Sequence, residues 1–82
     1  MGLTLTDAKR KILSLLEEEP QHGYILAQEL GVQGSTIYEH LEQLEEAGYI
    51  TGKKEARRKV YSLTKRGELT LAAERAGEED SE

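Results

Sequence analysis

Apolar residues recur every three or four positions along the first half of the chain and then switch to alternation. Leu5, Ala8, Ile12, Leu15 and Leu16 keep helical spacing and predict a first helix over residues 5–19. Thr4-x-x-Asp7 fits a capping box at its start. Pro20, which cannot continue a helix, stops it. Lys9, Arg10 and Lys11 form a cationic turn leaning off the apolar stripe. A second, short helix runs from Gly23 to Leu30, with Tyr24, Leu26, Ala27 and Leu30 facing inward and Gly31 as its stop. After a turn over residues 31–34, Ile37, Leu41 and Leu44 fall at i, i+4 and i+7. They predict a third helix from about Ser35 to Ala47, capped by Ser35 or Thr36 and ended by Gly48.

Beyond Gly48 the period changes. Tyr49, Ile50 and Thr51 are strand formers, and Lys59 to Thr64 alternates with Tyr61 and Leu63 on one face. The polar stretch Gly52 to Arg58 lies between them, so the segment reads as a β-hairpin with a long tip. Thr64 caps a last helix over residues 65–76, with Leu69, Ala72, Ala73 and Ala76 on one face and Gly77 at its end. Residues 78–82 read as an acidic, disordered tail. The order helix, helix, short turn, helix, hairpin, helix predicts one α+β, mostly helical domain over residues 1–77. It is that of a winged helix-turn-helix: a three-helix core, a two-stranded β-hairpin wing and one C-terminal helix.

Composition narrows the function classes. The sequence has no cysteine, which excludes a disulfide scaffold, a thiolate metal site and a cysteine nucleophile. The longest apolar run is Tyr24 to Ala27, too short for a membrane span or a signal-peptide core, which leaves a cytoplasmic protein as the default. The net charge of −5 argues against nucleic acid until it is divided along the chain. Residues 1–50 carry three basic and nine acidic groups, and residues 67–82 carry one against six. Residues 51–66 carry seven basic groups against Glu55 alone. With a screening length of about 8 Å at physiological salt, a partner at that segment meets the cations and little of the distant acids.

Those cations sit where a DNA reader needs them. A helix of the third helix's diameter fits the major groove, while a hairpin tip reaches neighbouring phosphates and gains affinity through counterion release. Lys53, Lys54, Arg57, Arg58 and Lys59 are therefore the expected wing contacts; the bland alternative is a hairpin decorated with lysine against edge pairing. On the third helix Ser35, Thr36, Glu39 and Gln43 face outward, Ser35 and Thr36 near the amide-rich N-terminus and Thr36, Glu39 and Gln43 within reach of base edges. Glu42, Glu45 and Glu46 read as a solvated face, because carboxylates repel phosphate. Tyr38, at the stripe edge, fits either a core ring or a ring with its hydroxyl on a phosphate. Tyr24, Tyr49 and Tyr61 read as core, since the chain has neither Phe nor Trp. Lys9, Arg10 and Lys11 are open to a further DNA contact or to plain solvation.

His22 and His40 are too far apart in sequence for a paired helical metal site, and the sequence points to no metal, no cofactor and no catalysis. Leu69, Ala72, Ala73 and Ala76, with Leu3 and Leu13, form a candidate dimer face. The competing reading is a winged-helix protein-interaction module that presents its acidic faces to a basic partner.

Three motifs carry a family resemblance. Gly23-Tyr24-x-Leu26 opens the second helix. Gly34-Ser35-Thr36-Ile37-Tyr38-x-x-Leu41-x-x-Leu44-Glu45-x-x-Gly48 runs through the third, and Arg58-Lys59-x-Tyr61-x-Leu63-Thr64-x-x-Gly67 follows the wing tip. Over roughly residues 8–70 the chain resembles the PadR family of transcriptional regulators. The resemblance implies a dimeric repressor of operator DNA, binding through the third helix and the wing, with Tyr38 on a phosphate. It further implies dimerisation through a helical C-terminal region and, in some members, a small-molecule effector. Only a single short helix follows Gly67 here, and so short a chain offers little room for an effector pocket away from a dimer interface.

Overall fold

The structure, a computed structural model, describes residues 5–80, with side chains as far as 76. Its elements are α1 (Asp7–Glu18), β1 (Gln21–His22), α2 (Gly23–Leu30), α3 (Gly34–Glu46), β2 (Ile50–Glu55), β3 (Arg58–Leu63) and α4 (Lys65–Asp80). The three strands form one antiparallel sheet in the order β1-β3-β2. This is a mostly helical winged helix-turn-helix, as the element order predicts. The wing has one more strand than expected: Gln21 pairs with Tyr61 and His22 with Val60. Two residues carry no readable period, and the partner strand's edge makes β1 a strand.

α1 begins two residues later than the spacing predicts. Thr6 is the cap, its Oγ1 accepting from the Lys9 N–H at 3.3 Å; Thr4 lies outside the described residues. The buried stripe of α1 is Ile12, Leu13 and Leu16 together with Lys9, while Ala8 and Leu15 are half-buried. Lys9 is 6% exposed, so the cationic turn does not lean wholly outward. α3 starts at Gly34 with Gln33 as a cap that makes no side-chain bond, which places Ser35 and Thr36 inside its first turn. Gly31 and Gly48 stop α2 and α3 as expected, with φ of +70° and +84°, backbone that side chains resist. α4 runs through Gly77 to Asp80, beyond the expected stop. Glycine terminates a helix only where the backbone turns left-handed; otherwise it costs about 1 kcal/mol against alanine.

The hairpin has no long tip. Its strands pair up to Glu55 and Arg58, leaving a turn of Ala56 and Arg57 with Ala56 at φ +55°. Charged side chains do not interrupt a ladder whose bonds are made by backbone and whose faces are wet. The register puts Ile50 opposite Leu63, Gly52 opposite Tyr61 and Lys54 opposite Lys59. Thr64 closes the wing and opens α4 together: its Oγ1 accepts from the Gly67 N–H at 3.0 Å and its hydroxyl donates to the Gly48 carbonyl at 2.6 Å.

Ile12, Leu13, Leu26, Ile37, Leu41, Leu44 and Ile50 are fully buried, each contributing about 1.5–3 kcal/mol of burial free energy. Leu13 is therefore core, not dimer face; Leu3 lies outside the described residues. Leu71 anchors α4, flanked by Arg10–Glu74 at 3.2 Å and Arg75–Glu17 at 3.0 Å. Exposed ion pairs contribute about 0–1 kcal/mol each, so Leu71 does most of the docking. Leu69, Ala72, Ala73 and Ala76 are exposed.

Candidate nucleic-acid interface

The third helix presents its outer face as the spacing predicts. Ile37, Leu41 and Leu44 are at zero exposure, which turns Ser35, Glu39 and Gln43 to solvent and leaves Thr36 half-buried. Tyr38 is 49% exposed. Its ring lies against the start of α2, where a Cβ on Gly23 would come within 2.7–2.9 Å of its atoms. Glycine at this position makes room for the ring.

Across from Tyr38 stands the wing. A hollow of about 420 Å³ is lined by Tyr24 of α2, Tyr38 of α3, and Arg57, Arg58 and Lys59, with His22 and Gly23 completing it. Tyr38 of α3 and the cationic start of β3 therefore border one space. Lys53, Lys54, Arg57, Arg58 and Lys59 are all exposed. Among the described residues, the first four make no ion pair. Lys59 differs: its Nζ donates to Glu45 Oε1 at 3.3 Å and lies 5.3 Å from the Tyr61 ring centre. The Glu45 hydrogen bond, then the charge on Tyr61, hold the Lys59 ammonium above the usual lysine range, while burial raises the Tyr61 hydroxyl.

Glu45 is thus no idle solvated acid. Its other oxygen accepts from the Gly52 N–H at 3.3 Å, so one carboxylate of α3 holds both strands of the wing. No sequence period reports this strut, because it joins positions seven and fourteen residues apart.

Two other placements differ from expectation. Tyr24, expected in the core, is 63% exposed, and its hydroxyl accepts from Gln28 Nε2 at 3.0 Å. In an eight-residue helix only Gly23, Leu26 and Ala27 are buried, a face too narrow to include it. The Lys9–Lys11 turn is largely committed within the fold. Lys9 Nζ lies 3.1 Å from His40 Nδ1, Arg10 bonds Asp7 and Glu74, and Lys11 alone is exposed. Burial, then the Lys9 charge, push the His40 imidazole below its usual range.

A second hollow, of about 300 Å³, opens between α2 and α3 beside Ala27, Val32 and Ile37, with Tyr24 and Tyr38 at its margin. Among the described residues no cluster of three or more His, Asp or Glu could hold a metal ion, and no helix is long and apolar enough to cross a membrane.

Solved structures of transcriptional regulators share this architecture. BldR from Sulfolobus solfataricus superposes with a TM-score of 0.81 at 25% identity, over 84% of this chain and 52% of that one. The adhesin competence repressor AdcR from Streptococcus pyogenes gives 0.80 at 24%, over 94% and 59%. The homodimeric winged helix-turn-helix DNA-binding domain from Mycobacterium bovis gives 0.84 at 18%, over 93% and 71%. At the latter two identities the likeness is one of fold. The chain spans only about half to three fifths of the first two proteins. No curated protein matches it. A family model described as the transcriptional regulator PadR-like family matches residues 12–73, from the buried Ile12 of α1 through the wing to Ala73 of α4. That span takes in α3, the wing and the strut between them, and the chain belongs to the PadR-like family of transcriptional regulators.

Proposed function

We propose that the chain binds duplex DNA as a cytoplasmic, homodimeric transcriptional repressor, with α3 in the major groove and the wing on flanking phosphates. The carrying observation is the shared hollow, which puts Tyr38 of α3 and Arg57, Arg58 and Lys59 around one space. On this reading Ser35 and the first amides of α3 meet a phosphate, and Thr36, Glu39 and Gln43 read base edges. Lys53, Lys54, Arg57 and Arg58 supply charge without sequence information. Lys59 does so less, being compensated by Glu45.

The dimer rests on the exposed Leu69, Ala72, Ala73 and Ala76 of α4, an apolar face suited to an isologous contact. Two α3 helices so related read half-sites about 34–36 Å apart. The repressor role comes from the family resemblance and the name of the Streptococcus pyogenes protein. Selection of bound fragments from random duplex DNA tests the reading: a palindromic sequence should emerge, and light scattering should give twice the chain mass. An unenriched pool, with a basic protein partner recovered instead, would establish the protein-interaction reading.

A further inference from the structure

We infer that Glu39 fixes the base that α3 selects: its carboxylate accepts from the N4 amino group of a cytosine in the major groove, so that each half-site carries a C·G pair under this residue. The inference rests on the DNA-binding reading above and deepens it, from the helix that enters the groove to the base it requires.

The packing of α3 leaves Glu39 foremost. With 3.6 residues per turn, it falls almost diametrically opposite the buried stripe of Ile37, Leu41 and Leu44, with Ser35 one turn before it and Gln43 one turn after. The flanks of the helix are taken up by the fold. His40 meets Lys9 of α1 at 3.1 Å, Glu45 accepts from Gly52 and Lys59 of the wing, and Tyr38 lies against Gly23. Glu39 is exposed and, among the described residues, makes no ion pair. Glu42 and Glu46 are also exposed but lie one and two turns nearer the C-terminal end of the helix.

The side-chain chemistry then selects the base. From Gly34 to Glu46 the helix has no lysine or arginine, the residues that hydrogen-bond guanine O6 and N7. Its foremost group is instead a carboxylate, which only accepts. In the groove a carboxylate without a donor is costly, and guanine O6 and N7 and thymine O4 repel it. Only the amino groups of cytosine and adenine donate there. Adenine's stands beside the N7 acceptor, which opposes the second carboxylate oxygen, whereas cytosine's stands beside a C–H. Cytosine is the match.

The experiment selects bound fragments from random duplex DNA with the full chain, with Glu39→Gln and with Glu39→Ala, then measures binding to the selected duplexes by anisotropy. Glu39 is exposed, so neither variant disturbs the core. Wild type should return cytosine at one position of each half-site and favour it roughly tenfold over thymine there. Glu39→Gln should turn that position to adenine, whose N6 and N7 match an amide, and Glu39→Ala should accept any base, with the other positions unchanged. Methylation of that cytosine at N4 replaces the groove-facing hydrogen and keeps the pair with guanine. It should weaken the wild type roughly tenfold and leave Glu39→Ala unmoved. Identical preferences in all three proteins, with Glu39→Ala merely tighter on every duplex, would overturn the cytosine contact while sparing the DNA reading. A wild type that binds no duplex at low salt would overturn both.

Discussion

Five cations decorate the wing, yet four of them should carry nearly all of its share of the salt dependence of DNA binding. Lys53, Lys54, Arg57 and Arg58 have no acidic partner among the described residues, while Lys59 is held by Glu45 at 3.3 Å. A cation already paired within the protein displaces few counterions from DNA. At about −0.9 in the logarithmic slope per phosphate neutralised, four contacts give a wing contribution of about −3.6 per protomer. Between 50 and 200 mM salt that amounts to about a 150-fold loss of affinity, against about 12-fold once Arg57 and Arg58 are both alanine. Fluorescence anisotropy across a salt series reads the slope directly. Arg57→Ala/Arg58→Ala should flatten it by about 1.8, and Lys59→Ala should lower affinity at every salt while leaving the slope in place. If Lys59→Ala flattens the slope as much as Arg57→Ala alone, the Glu45 pair does not withhold that charge. If the double variant runs parallel to wild type, the wing is not on the phosphates.

Four further outcomes follow from particular positions. Glu45→Gln should cost under about 1 kcal/mol of stability, because the pair is half-exposed, yet should speed hydrogen exchange at the Gly52 amide by loosening the wing. Gly67→Ala should lose about 1–3 kcal/mol in urea unfolding, since the new methyl meets the Tyr49 carbonyl and overpacking outweighs helix propensity. Gly34→Ala, with nothing within 4 Å, should gain about 0.4–1 kcal/mol. His40 titrates below its ordinary 6.5 because it is partly buried beside Lys9, so the unfolded chain takes up its proton first. Stability is full above that value and falls as pH drops towards the lower folded one. Denaturation curves from pH 7.5 to 5 should show the fall, and His40→Gln, which keeps an acceptor for Lys9, should reduce it.

The overall negative charge does not conflict with DNA binding. The acids of α1 and α2 and those of α4 belong to elements other than the cationic ribbon, and beyond about 8 Å their repulsion is largely screened. Glu42 and Glu46 lie exposed on the second half of α3. They leave the opening turns of α3 as the part suited to approach the groove.

The local order of this protein is written in its sequence. Ile37, Leu41 and Leu44 fix which way α3 faces, Gly31 and Gly48 end their helices, and Thr64 caps α4. Each depends on residues a turn or two apart, and a helical period or a left-handed glycine records such constraints directly. What neighbours across the chain decide is not so recorded. Gln21 and His22 become a strand only because β3 offers an edge. Tyr24 stays exposed because α2 buries so narrow a face, Lys9 is buried against His40, and Glu45 turns from a surface charge into the wing's anchor. The wing cations and α3 could be found by reading along the chain, but the meeting of Tyr38 with Arg57, Arg58 and Lys59 around one hollow is a product of three-dimensional packing. That meeting depends on long-range contacts that no periodicity encodes.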